Sequence, residues 1–379
     1  MGVVIGMGLM SGTSGDGVDA ALVRFEGKSI ACLASGFAAY PKKMRNDIAK
    51  SSRPDGHVEL VCRLNVEIGK FFANSAVAFC KKIKFPIEAV AFIGSHGQTI
   101  RHQPVSKKGQ PSSTLQIGEG AEIAAITGCI TVSDFRPADI AAGGQGAPLA
   151  PIAHHAIFAS KKEDRIVHNI GGISNLTWLP KGGGVEKVTG FDTGPGNSLI
   201  DLAVTRFSKG RRKFDAGGKT ALKGKVNEQM LKFCLRFPYY AQKPPKSTGR
   251  ELFGVEYFCE LLKRFPKISN EDFLRTLCAL TAESAARQAA KFMRFKKAKW
   301  ILCGGGAFNG AIVGELEGRL AGKCRVFLSD KFGIGVKEVE AALMAVLARR
   351  TIKGLPGNLP RVTGARRGAI LGKISLPPE

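Results

Sequence analysis

At 379 residues, with 44% hydrophobic and 23% charged side chains, the chain reads as globular and is too long for one ordinary core, so two domains are expected. The formal charge of +25 gathers partly between Arg206 and Arg250, where thirteen Lys or Arg face only Asp215 and Glu228; without a nucleic-acid motif this reads as a solvated basic face, and no nucleic-acid partner is expected. No apolar stretch reaches the roughly 20 residues that span a bilayer, and "MGVVIGMGLMSGTSGDG" lacks the basic start of a signal peptide, so a cytoplasmic protein without a membrane partner is expected.

In chain order, "VVIGMGLM", "VDAALVRF" and "SIACLASGFAAY" read as three successive strands. Apolar residues at helical spacing predict one long helix over 58–83, and "AVAFIGSHG" (89–97) is a buried strand ending in a small-residue turn. A second cycle follows: strand 129–135, helix 147–159, strands 164–172 and 173–180, and a helix over 196–207. Beyond the basic stretch lies a helical region from Thr248, including a helix over 270–294 that Ser269 and Asp272 would cap. Strand 298–303 then runs into "GGGAFN", followed by a helix, strand 324–329 and a last helix over 337–350. The strand–glycine turn–strand unit of the N-terminus recurs near residue 166, a duplication visible as pattern and not as identity.

Nine cysteines, none spaced as a ligand pair, read as thiols in a reducing compartment. The adjacent His154 and His155 would point about 100° apart on a helix, poor geometry for a shared metal.

Three glycine turns carry the chemistry. The first, within "GLMSGTSGDGVDAALVRF", has neither the lysine nor the following helix of a P-loop, and it misses the third glycine of a dinucleotide fingerprint. What remains is a hairpin whose backbone N–H groups and Thr13 and Ser14 hydroxyls suit a phosphate, with Asp16 placed to hold Mg²⁺ through water. "HNIGGISNLTWL" repeats the device with Asn169, Ser174 and Asn175, and "ILCGGGAFN" places three glycines where a flat ring could lie against backbone. In "GFDTGPGNSLID", Asp192 sits at a strand end before a Gly-Pro turn. It is ionised at neutral pH by its reference pKa of about 3.9 and is a candidate base, with a turn acid as the alternative; Asp201 fits a solvated helix position. "SDFRPADIAAGGQGAPLAP" carries Asp134, Arg136 and Asp139, either a recognition loop or a structural Asp–Arg clamp, and His96 in "GSHGQTIRH" reads as a positioning residue at most.

Taken together, "MSGTSGDGVD", "GSHGQTIRH", "SDFRPADIAAGGQGAPL", "NIGGISNLT", "GFDTGPGN", "PKSTGRELF" and "CGGGAFN" resemble, in that order and over nearly the whole chain, the anhydro-N-acetylmuramic acid kinases. The resemblance implies an α/β, two-lobed actin-like, hexokinase-like ATPase (ribonuclease H-like) fold with an interlobe cleft. The expected lobes are 1–130, with 351–379 packing back on it, and 131–350. It implies ATP and Mg²⁺ as cofactors, an amino-sugar substrate and a possible homodimer. The ATP-binding residues would be Gly12, Thr13, Ser14, Gly15, Asp16, Gly17, Val18 and Asp19 in the first motif. Asn169, Gly171, Gly172 and Asn175 would form the second, and Gly304, Gly305, Gly306 and Asn309 the adenosine motif. Asp192 would be the catalytic base, while Met10, Thr13, Gly97, Arg136 and Glu340 would face the sugar, with Glu338 the competing acid in "GIGVKEVE".

The implied reaction opens the 1,6-anhydro ring with water and phosphorylates O6. Its rivals are another sugar or carboxylate kinase of the same fold and a non-catalytic actin-like ATPase module.

Overall fold

A computed structural model describes residues 2–12, 15–53, 55–104 and 110–379. The chain divides into two compact units, Met1–Ile157 with Glu338–Glu379, and Phe158–Lys337.

In the first unit, β1 (Val4–Met10), β2 (Gly17–Glu26) and β3 (Ser29–Ala39) form an antiparallel meander. β1 pairs in parallel with β4 (Phe92–Ser95). β5 (Gln98–Gln103) and β6 (Ser113–Ile117) make a separate ribbon, and β7 (Ile130–Ser133) pairs in parallel with β4. The strand Lys373–Ser375 closes that edge. The helix Val58–Lys82 turns Leu64, Ile68, Phe72 and Ala76, one per turn, into the core against Met7, Leu9 and Leu22. On the sheet's other face, Gly8 lies so close to the backbone carbonyl of Ala341, in the helix Val339–Ile352, that no Cβ would fit.

The second unit repeats the plan. β8 (Asp164–Ile170), β9 (Ile173–Leu179) and β10 (Thr189–Pro195) are an antiparallel meander, and β8 continues in parallel with β11 (Ala298–Cys303) and then β12 (Cys324–Leu328). Trp300, Ile301 and Leu302 are successive and all fully buried, as a central strand covered on both faces requires. The helix Asn270–Phe292 contributes Phe273, Leu277 and Leu280 to that core and is capped by Ser269, whose hydroxyl accepts from the Asp272 N–H at 3.1 Å as the spacing predicts.

Within each unit the meander's first strand carries two further parallel strands, the order 3-2-1-4-5. The duplication legible as pattern is a duplication of topology, and the repeated order is that of the actin-like, hexokinase-like ATPase fold.

Several boundaries differ from expectation. β7 and the helix Val339–Ile352 were expected in the second lobe, but β7 hydrogen-bonds to β4 and the helix packs on β1, so both fall in the first unit. The helix expected over 147–159 is Ala150–Phe158, with Pro151 in the first turn, where its missing N–H is harmless. "SDFRPADIAA", read as a loop, contains a short helix, Arg136–Ala141, with Pro137 in its first turn. All nine cysteines are free thiols, and Cys62 and Cys259 are exposed. Among the described residues no helix is long and apolar enough to cross a membrane.

Candidate active site

In the second unit, strand register builds the site. Asp192 on β10 is opposite Asn175 on β9, which is opposite Asn169 on β8. Directly opposed residues point to one face of a sheet, so the candidate base and both asparagines of the second motif form one polar row across three strands. Their neighbours Phe191, Thr193, Ser174 and Leu176 are buried on the opposite face. The register shifts between Asp192 and Gly194, so a bulge ends the row at the base and turns the chain toward the next helix. β10 itself runs on to Pro195.

The turn of the second motif is held by backbone. The N–H groups of Gly196 and Ser198 donate to the Gly172 carbonyl at 2.9 and 3.0 Å, and the Asn197 N–H donates to the Gly171 carbonyl at 2.8 Å. Gly304 abuts it with φ +79° and ψ 167°, a conformation open essentially to glycine alone, and any Cβ there would strike Asn169 and the Ile170 carbonyl. Beneath the turn runs a buried chain. The Trp300 indole donates to His168 Nδ1 at 3.1 Å, which assigns the proton to Nε2; that nitrogen meets Ser174 Oγ at 2.7 Å, and Ser174 Oγ meets Thr193 Oγ1 at 2.6 Å. Burial holds the His168 pKa down at about 3, so the imidazole is neutral.

Asp192 is gripped from a second direction. The Thr248 N–H donates to Oδ2 at 2.9 Å, the Tyr239 hydroxyl donates to the Asp192 carbonyl at 2.7 Å, and the Asp192 N–H donates to the Lys246 carbonyl at 3.3 Å.

A cavity of about 470 Å³ opens beside the third glycine turn, lined by Asn197, Asp201, Phe214, Gly305, Phe308 and Asn309 among others. Phe214 and Phe308 are exposed apolar rings at this cavity. Asn309 also caps the next helix, its Oδ1 accepting from the Ala311 and Ile312 N–H groups at 3.0 and 3.3 Å. Asp201 corrects the sequence reading: in the first turn of the helix Ser198–Phe207 it faces this cavity and not open solvent, and burial, opposed by Arg250, raises its pKa to about 7. Asp215 is a turn acid that accepts from the Thr220 and Ala221 N–H groups.

In the first unit, the Gly15 N–H donates to the Gly12 carbonyl at 3.2 Å. Thr13 and Ser14 lie outside the described residues. Met10 and Asp19 are opposed across β1 and β2, Gly17 and Val18 open β2, and the Asp16 side chain is exposed. The loop's braces were not expected. Ser11 Oγ lies 2.8 Å from the Gly17 carbonyl, 2.7 Å from Gln98 Oε1 and 3.1 Å from the Tyr40 hydroxyl, and Gln98 Nε2 donates to the Gly12 carbonyl at 3.2 Å.

Elsewhere in this unit, Arg136 donates to the Gly146 carbonyl at 3.1 Å and, from Nη2, to His96 Nε2 at 2.9 Å. Arginine has no acceptor, so His96 Nε2 is unprotonated and Nδ1–H donates to the Gly97 carbonyl at 2.9 Å. Burial, with Arg136 beside it, lowers the His96 pKa to about 3. Asp139 is structural, bound by the Gly146 N–H, Asn358 and Thr363 at 2.6–2.7 Å. Glu338 accepts from Ser35 on β3 at 2.8 Å, whereas Glu340 is half-buried in the first turn of the last long helix.

The family described as Anhydro-N-acetylmuramic acid kinase matches residues 4–377. The chain belongs to the anhydro-N-acetylmuramic acid kinase family. Among curated relatives of that name, one from Caldanaerobacter subterraneus subsp. tengcongensis is 42% identical over 382 residues, 98% of this chain and 96% of its own. Another, from Bacillus cereus (strain ZK / E33L), is 40% identical over 379 residues, 98% of this chain and 99% of its own. A solved structure titled (R)-2-hydroxyglutaryl-CoA dehydratase component A, from Acidaminococcus fermentans, is 13% identical, covers 90% of this chain and 97% of that one, and has a TM-score of 0.46, too low to bear on function. The motifs shared with the family therefore span both units.

Proposed function

We propose that this chain is an ATP-dependent kinase that opens the 1,6-anhydro ring of anhydro-N-acetylmuramic acid with water and phosphorylates O6. The products are N-acetylmuramic acid 6-phosphate and ADP, made in the cytoplasm during peptidoglycan recycling. The observation that carries the reading is the row Asp192–Asn175–Asn169 beside the backbone-locked glycine turns, in a chain matched to this family from residue 4 to 377.

In this reading Asp192 takes a proton from water as the water oxygen bonds to the anomeric carbon and the C1–O6 bond breaks. O6 then attacks the γ-phosphorus, ADP leaves, and the proton on Asp192 passes to solvent. Such transfer rests on positioning and electrostatics, so neither a lysine nor a covalent nucleophile is required. The turns Gly12–Asp19 and Asn169–Asn175 hold phosphate through backbone N–H groups, and the nucleoside occupies the cavity lined by Asn197, Gly305, Phe308 and Asn309. Gly304, Gly305 and Gly306 leave room for the nucleoside. Met10, Thr13, Gly97, Arg136 and Glu340 contact the sugar, with Glu338 the competing acid.

Asp16 suits Mg²⁺: it is an exposed hard oxygen donor on a phosphate loop, and this ion is commonly held by one or two carboxylates, waters and the phosphates themselves. The ion supplies charge neutralisation on the transferred group.

The test is ADP release with and without 1,6-anhydro-N-acetylmuramic acid. Sugar-dependent release that yields the 6-phosphate is expected; release independent of the sugar, or none, overturns the reading. A homodimer, implied by the resemblance, is checked by sedimentation.

A further inference from the structure

The segment "PKSTGRELF" has no role in the reaction as described, yet it holds a buried lysine directly behind the proposed base. Lys246 is 4% exposed. Its Nζ lies 4.6 Å from the centre of the Tyr239 ring, 5.4 Å from Phe292 and 5.8 Å from Phe191, and it donates to the Tyr239 carbonyl at 3.3 Å. An ammonium enclosed by three aromatic faces regains through cation–π attraction part of the hydration it gives up. That return is partial, since burial, with Lys291 nearby, lowers its pKa to about 8 against the opposing pull of Asp192. A methionine of similar length would fill the same space without that cost, so packing alone does not account for a lysine here.

What the ammonium secures is the segment that grips Asp192. Tyr239, anchored at its carbonyl by the lysine, donates its hydroxyl to the Asp192 carbonyl; Lys246 accepts from the Asp192 N–H; Thr248, two residues on, holds Oδ2. The backbone and the carboxylate of Asp192 are thus fixed by one stretch of chain with Lys246 as its pin. Phe191, in the aromatic enclosure, is the residue preceding Asp192, so the pin also supports the base from its buried side.

We propose that Lys246 is a positioning residue for the reaction: its caged ammonium fixes the segment Tyr239–Thr248 so that Thr248 sets the orientation of the Asp192 carboxylate. The proposal rests on Asp192 being the base, and Asp192→Asn is run in parallel to separate the two claims. If Asp192→Asn keeps its activity, the base assignment fails and this proposal falls with it. If Asp192→Asn is inactive, the lysine is tested on its own terms.

The experiment measures kcat, the KM for ATP and the melting temperature of Lys246→Met and Lys246→Arg in the full chain. Lys246→Met is expected to lower kcat by about tenfold to a hundredfold, the scale of a misplaced catalytic group, while the KM for ATP stays within about twofold. Lys246→Arg, which keeps a cation that stacks on rings, is expected to recover part of the loss. A Met variant with wild-type kcat overturns the proposal, and so does one whose ATP affinity collapses in step with kcat, which marks a purely structural role. Should the Met variant not fold, Tyr239→Phe decides: a lowered kcat at unchanged KM for ATP supports the pinned segment, and an unchanged kcat overturns it.

Discussion

The two units share one strand order but secure their glycine turns by different means. In the second unit the turn 170–173 is tied by three backbone N–H groups from the start of one helix and abutted by Gly304. In the first, side chains add to the backbone bonds from Gly15 to Gly12 and from Tyr40 to Asp16, with Ser11, Tyr40 and Gln98 meeting at one hydroxyl. A backbone brace depends on conformation and tolerates most side-chain changes, whereas a hydroxyl hub fails with one substitution. The comparison separates positions where glycine is obligatory from positions where a particular polar side chain is.

The largest expected effect removes the support of both units together. His96, His154 and His168 are held neutral by burial, each with a pKa lowered from 6.5 to about 3, and burial with Arg136 nearby lowers that of His102 to about 4. Between those values the unfolded chain binds more protons than the folded one, so stability is intact above pH 6.5 and falls with acidification toward pH 3. Each histidine contributes up to about 1.4 kcal/mol per pH unit in that window. Denaturant melts at pH 7, 6 and 5 should show the decline, and His168→Gln should shallow it by about a quarter if the four contribute equally.

Next, Gly304→Ala should break the backbone-tied turn, combining a glycine-only conformation with a clash against Ile170 and Asn169, at a cost of about 3 kcal/mol. Chemical denaturation reads it. Ser11→Ala should cost the first unit about 2 kcal/mol, because the Gln98 and Tyr40 groups that meet it lose their common partner inside the core. If Gly304→Ala is the milder of the two, the contrast between the braces is wrong. The smallest effect on stability is that of Asp16→Ala: an exposed side chain whose loss should leave the melting temperature unchanged while raising the KM for ATP about tenfold at limiting Mg²⁺.

Much of this was legible because it is contiguous in sequence. The three glycine turns, Asp192 before its Gly-Pro turn and the Ser269 cap each announce themselves within a dozen residues. What was not legible depends on register and long-range packing. The row Asp192–Asn175–Asn169 requires knowing which residues lie opposite across β8, β9 and β10. The burial of Asp201 depends on the neighbouring 214–217 and 305–309 segments, and the Gln98 brace joins residues 87 apart. β5 and β6 escaped notice because "QTIRHQ" and "STLQI" carry too few apolar residues to alternate clearly, and the helix Lys42–Ser51 because it buries only Asp47, Ile48 and Ser51. The lobe boundary was misplaced because strand order, and not sequence order, assigns β7 and the helix Val339–Ile352 to the first sheet.

The central claim is that Asp192, held in a row with Asn175 and Asn169, is the base of a hydrolytic kinase. Asp192→Asn tests it most directly, since it keeps the shape and removes the proton acceptor. The account predicts that sugar-dependent ADP release falls by about a thousandfold or more while ATP binding, measured by calorimetry, stays within about threefold. Substantial release by Asp192→Asn, with the sugar still phosphorylated, would contradict it.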